Sequence, residues 1–81
     1  MTQKITTTTT WTEQDIATAN TFIERLVVSA LIEGTATGKK TVGVNIRRGY
    51  PLHTIDVVVD ILKTTYGRDA YRHYTWVKIN L

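Results

Sequence analysis

The side chains in this sequence that could do acid–base or metal chemistry are few and scattered. There are two histidines, His53 and His73, a single serine, Ser29, and no cysteine. Asp56 and Asp60 stand four residues apart, with His53 three residues before Asp56. Such a set could hold a cation or shuttle a proton. The same spacing is also the ordinary polar side of a helix, and a local contact between His53 and Asp56 fits it. Ser29 sits among apolar neighbours, where it reads as core or interface. The lack of cysteine excludes a thiol nucleophile, a disulfide, and zinc or iron–sulfur sites held by thiolates. No catalytic residue, metal site or cofactor is expected.

The stretch Gly34-Thr35-Ala36-Thr37-Gly38-Lys39-Lys40 superficially resembles a phosphate-binding loop. It lacks the GxxxxGK[ST] form, because Lys40 stands where a hydroxyl would hold magnesium. It also follows a helical pattern instead of leading from a strand into a helix. Nucleotide hydrolysis is therefore rejected.

Binding is better supported than catalysis. The C-terminal segment YRHYTWVKINL interleaves aromatic with basic side chains. Read as one strand, it places Arg72, Tyr74, Trp76 and Lys78 on one face and Tyr71, His73, Thr75, Val77, Ile79 and Leu81 on the other. Asn45 and Arg47 from the preceding strand would join the first face, with Arg48 just beyond. Trp, Tyr and Arg combine contact area with polar handles, so this face suits a protein partner. It could also stack bases and neutralise phosphates in single-stranded nucleic acid or RNA. In a second basic set, Lys39, Lys40, Arg47, Arg48 and Arg68, the first two and the next two stand near opposite ends of one strand, and such separated pairs read as solvated loop charge.

Five elements would position these residues. Thr6 to Thr10 are consecutive threonines, and β-branching favours an edge-like strand over residues 3–10. Thr12 can cap a helix and Asp15 can reach back to it, with Trp11 and Ile16 forming a hydrophobic staple. Ile16, Ala19, Phe22, Ile23, Leu26, Val27, Ala30 and Leu31 then form one apolar stripe, ending at Gly34 as a C′ residue. Val28 and Ile32 widen that stripe. Residues 40–47 alternate as a strand, with Val42, Val44 and Ile46 inward. Gly43 weakens it and marks a bulge or a close approach by another chain. Pro51 opens a second helix over residues 51–65 that buries Leu52, Ile55, Val58, Val59 and Leu62, with Ile61 at its edge. Val57-Val58-Val59 argues for a strand, but the polar residues recur every three or four positions. Arg68-Asp69-Ala70 links to the final strand. The expected fold is α+β, a two-layer sandwich with a three-stranded sheet and two helices on one face, in the order β-α-β-α-β.

A chain of 81 residues makes one domain, residues 1–81, with residues 1–4 expected to be flexible. At this size folding buries roughly 60–65% of the unfolded surface, so a partner subunit would add useful burial. The net charge of +3 gives weak steering toward anions and no more. The start of the chain is polar and lacks the apolar core of a signal peptide. The longest apolar run, Leu26 to Ile32, is too short to span a bilayer. A cysteine-free chain of this length fits a reducing, cytoplasmic setting. The expectation is a small accessory or regulatory protein, including one encoded by a virus. It would act by protein association, self-association included, without a membrane, and with nucleic-acid binding as the alternative.

Overall fold

The computed structural model describes residues 11–81. In them α1 (Glu13–Phe22), a π-helical turn (Ile23–Val27) and α2 (Val28–Ala36) form one continuous rod. β1 (Thr41–Asn45), α3 (Thr54–Thr64), β2 (Asp69–His73) and β3 (Trp76–Asn80) follow. The strands form an antiparallel sheet in the order β1-β3-β2. The fold is α+β, with the helices over one face of a three-stranded sheet. The expected strand over residues 3–10 lies outside the described residues. Among the described residues no helix is long and apolar enough to cross a membrane.

The rod starts as its sequence dictates. The Asp15 amide donates to Thr12 Oγ1 at 3.0 Å, and the Thr12 amide donates to Asp15 Oδ2 at 3.3 Å, completing a capping box. Trp11, just before the cap, ties the rod to α3: its indole N–H donates to Asp60 Oδ2 at 2.9 Å. Ile16 is left at the exposed margin of the stripe. Ala19, Ile23, Val27 and Leu31 form the buried column, each four residues from the next. In a regular α-helix that spacing drifts by about 40° per step. The wider π turn, where the Val28 amide donates to the Ile23 carbonyl, offsets the drift and keeps the column facing the core.

The rod also ends later than its sequence pattern suggests. Gly34 lies inside α2, and the helix closes at Gly38, with φ of 74°. The Lys39 amide donates to the Gly34 carbonyl at 2.9 Å and the Gly38 amide to Thr35 at 3.2 Å, which is a Schellman closure. Gly34 serves packing instead. A Cβ there would collide with Val42 Cγ1 and approach Leu81 Cδ1 to 3.0 Å. The missing side chain lets the rod lie directly on β1.

The β-branched run does form helix, but α3 begins at Thr54 and Leu52 is exposed in the turn before it. Thr54, Ile55, Val57, Val58 and Leu62 are buried, so Val57 takes the place expected for Val59. Phe22 meets Tyr50 edge-to-face, with ring centroids 5.2 Å apart, closing the core beside α3. His53 pairs with Asp15 rather than Asp56, at 2.8 Å between Nε2 and Oδ1. With Asp15 ionised, Nε2 must carry the hydrogen.

The largest difference from the sequence reading is at the C-terminus. Residues 71–81 are not one strand. Residues Asp69–His73 and Trp76–Asn80 are the two arms of a hairpin joined by Tyr74 and Thr75. Tyr74 has φ of 56°, a region that costs a non-glycine residue about 1–2 kcal/mol. Arg68, expected in a linker, precedes β2 directly, and Asp69 and Ala70 belong to the strand. Val42 and Val44 of β1, Val77 and Ile79 of β3 and Ala70 of β2 supply the sheet's buried face.

Two outcomes follow from this packing. Gly34→Ala should lower stability by about 1–3 kcal/mol through overpacking against Val42, despite alanine's better helix propensity. Urea denaturation reads the loss, and a wild-type midpoint would contradict the close approach. The His53 hydrogen bond first, and the Thr12 amide next, hold the Asp15 carboxyl below its ordinary range. The resulting stability is complete above the unfolded value of about 3.9. It fades as pH falls through the lower folded value. Asp15→Asn should therefore melt below wild type near pH 5, with the two curves converging toward pH 2.

Candidate binding surface on the open sheet face

Strand alternation fixes what the uncovered face of the sheet presents. Where Val42, Val44, Val77, Ile79 and Ala70 turn toward the helices, their neighbours must turn away. The cross-strand register sorts these neighbours into three rows. Thr41, Asn80 and Asp69 form the first. Thr41 Oγ1 donates to Asn80 Oδ1 at 3.3 Å, and Asn80 Nδ2 donates to Asp69 Oδ2 at 2.8 Å, a polar ladder across all three strands. Gly43, Lys78 and Tyr71 form the second row, and Asn45, Trp76 and His73 the third.

Gly43 shapes the middle of this face. A Cβ on it would meet Lys78 Nζ at 3.1 Å, Lys78 Cδ at 3.2 Å and Trp76 Cε3 at 3.3 Å. Both side chains therefore lean over the bare backbone of β1. Lys78 Nζ lies 5.2 Å from the centre of the Trp76 ring, within cation–π range. Trp76 remains 39% exposed and Tyr71 45% exposed, large areas for aromatic rings on a sheet surface.

Beside this face, at the free side of β1, lies a cavity of about 360 Å³. Its walls are Leu26 and Ala30 from the rod, Gly43, Val44 and Asn45 from β1, and Arg47 and Trp76. Leu26 belongs to the π-helical turn, so the same widened turn that holds the core column also shapes this wall.

The structure brings together only part of the set expected from sequence. Trp76, Lys78 and Asn45 share the open face, and Arg47 borders it at the cavity. Arg48 is exposed in the turn after β1, which the Tyr50 amide closes on the Arg47 carbonyl at 3.2 Å. Arg72 is on the opposite face, because the hairpin shifts the alternation of β2 relative to β3. Its Nη1 donates to Asp56 Oδ2 at 2.9 Å and its Nε to the Tyr74 carbonyl at 2.8 Å. Tyr74 sits at the hairpin tip, 80% exposed, with its ring edge-on to His73 at 4.7 Å. Tyr71 and His73, assigned to the buried side by the single-strand reading, take their places on the open face. An expected strand of eleven residues, about twice the usual length, was the available signal for the hairpin.

The aspartates and His53 of the helices tie elements of the fold together. Asp56 meets Arg72, Asp60 accepts from Trp11, and His53 meets Asp15. Among the described residues no three His, Cys, Asp or Glu side chains cluster as metal ligands would. Arg68 lines a separate shallow depression with Leu31, Ile32, Thr35 and Ala36. Compared with protein-family models, curated proteins and solved structures, the chain matches none.

Arg72→Ala should reduce stability by less than about 1 kcal/mol, since its ion pair is partly exposed. It should leave any assembly in solution intact. Loss of assembly in a fully folded variant would instead put Arg72 in the binding surface.

Proposed function

We propose that this protein is a small, non-enzymatic accessory or regulatory protein that works by protein association, self-association included, through the open face of its sheet. One observation carries the reading. The helices cover one face, while the other presents Trp76, Tyr71 and Lys78 with no described element over them. Trp and Tyr rings are enriched among the anchors of protein interfaces.

The non-enzymatic part rests on Asp15, Asp56, Asp60 and His53 being engaged in contacts between elements of the fold. A cytoplasmic setting belongs to the same proposal and rests on the cysteine-free sequence. Binding of single-stranded nucleic acid has less support. With Arg72 turned to Asp56, the cations at the open face are Lys78 and the bordering Arg47, and Asp69 adds a carboxylate to the same surface. Phosphate neutralisation scales with the number of cations in contact.

Solution mass by light scattering tests the proposal, at low and physiological salt, with and without a single-stranded oligonucleotide. The expected result is an assembly larger than the monomer that ignores the oligonucleotide. Trp76→Glu should weaken it by about 2 kcal/mol, roughly thirtyfold, with an unchanged thermal transition. An assembly that survives Trp76→Glu would contradict the open-face reading. A monomer that gains mass only with oligonucleotide, and loses it as salt rises, would replace that reading with nucleic-acid binding.

A further inference from the structure

We propose that the free edge of β1 is a docking site for an extended acidic segment of another protein, which adds a strand to the sheet and fills the cavity beside it. This rests on the association reading and names the kind of partner.

The hydrogen-bond pattern defines the edge. The Leu81 amide donates to the Lys40 carbonyl at 2.8 Å, and the Ile46 amide donates to the Thr75 carbonyl at 2.9 Å. Even-numbered residues of this segment therefore bond to the hairpin. Alternation turns the amides and carbonyls of Thr41, Gly43 and Asn45 the other way. No other described strand lies along that side. An outward row of backbone donors and acceptors is a template for another extended chain.

The cavity makes this edge more than a bare strand. A docked strand sends alternate side chains to opposite faces. One set would descend toward Leu26 and Ala30 of the rod. The other would cross Gly43, which offers no side chain to obstruct it, and reach Trp76.

Charge selects the occupant. Residues 39–48 read KKTVGVNIRR, with four of the chain's ten basic residues and no acidic one. The cations sit in pairs before and after β1, and Lys78 leans over its middle. The pairs are about 23 Å apart along an extended backbone. A partner strand of about nine residues with carboxylates at both ends matches that spacing. A second copy of β1 does not. Pairing two copies antiparallel about Gly43 would set Arg47 of one beside Lys39 of the other. The chain's own Thr-rich stretch, residues 5–10, brings no acidic group. Nucleic acid would meet the cations but has no backbone row to pair with Thr41, Gly43 and Asn45.

The test uses the full chain and an array of nine-residue peptides with alternating Val and Thr centres. The ends are Glu-Asp, Lys-Arg or Ser-Gly, and oligothymidylate serves as the nucleic-acid probe. Fluorescence anisotropy should show the acidic-ended peptides binding at least tenfold tighter than the basic-ended ones. Exposed Arg47 can be reversed without touching the core, and Arg47→Glu should erase that preference. Amide hydrogen exchange should slow at Thr41, Gly43 and Asn45 on peptide addition. No preference for acidic ends, binding without slowed exchange at those amides, or slowing by oligothymidylate instead would each overturn the proposal. The open-face reading fails separately, through the mass of Trp76→Glu, so either can fall while the other stands.

Discussion

β3 is the one described strand hydrogen-bonded on both sides, and the rest of the molecule takes its arrangement from it. Val77 and Ile79 point into the core from the centre of the sheet. Trp76, Lys78 and Asn80 necessarily point out. The neighbouring strands inherit these sides through their register, so a single turn at Tyr74 and Thr75 decides which residues of β2 meet the helices. The positive φ of Tyr74 is the local strain at that turn. Two antiparallel ladders and the buried face of β3 outweigh it.

The rod answers the same constraint from the other layer. A sheet with one short buried face offers few large side chains, so the helices must come close. Gly34 permits contact with Val42, and the π turn keeps the four-residue column in the core, from α3 at one end to β1 at the other. Phe22 and Tyr50 fill the remaining corner. The core is thereby completed on one side of the sheet, and no described element covers the aromatic and basic residues of the other side.

Much of this was legible in the residues. The capping box at Thr12 and Asp15, the alternation of Val42 and Val44, and the helix through Val57-Val58-Val59 each rest on a local pattern. So does the α+β class. The misreadings have one physical origin, which is competition between local signals and tertiary contacts. Gly34 has the chemistry of a helix cap, but Val42 uses its lack of a side chain, and Gly38 supplies the cap. Tyr74-Thr75 carries no glycine or asparagine to mark a turn, so the hairpin is hidden within a run of good strand residues. That concealment sent Arg72 to the wrong face and kept Tyr71 and His73 off the right one. The cavity at β1 had no sequence signature, because Leu26, Ala30 and Trp76 come to line it only through the tertiary fold.

The hairpin assembles Trp76, Lys78 and Tyr71 on one surface and turns Arg72 away, so the proposed binding face depends on it. In this register Ala70 faces Ile79 and Arg72 faces Val77. Both are non-hydrogen-bonded pairs, in which the Cα atoms approach most closely. Nuclear Overhauser spectroscopy of the full chain tests that arrangement directly. A hairpin in this register gives strong Hα–Hα contacts for Ala70 with Ile79 and for Arg72 with Val77. Their absence, with only sequential contacts running unbroken from Tyr71 to Leu81, would show a single strand and contradict the surface built on the hairpin.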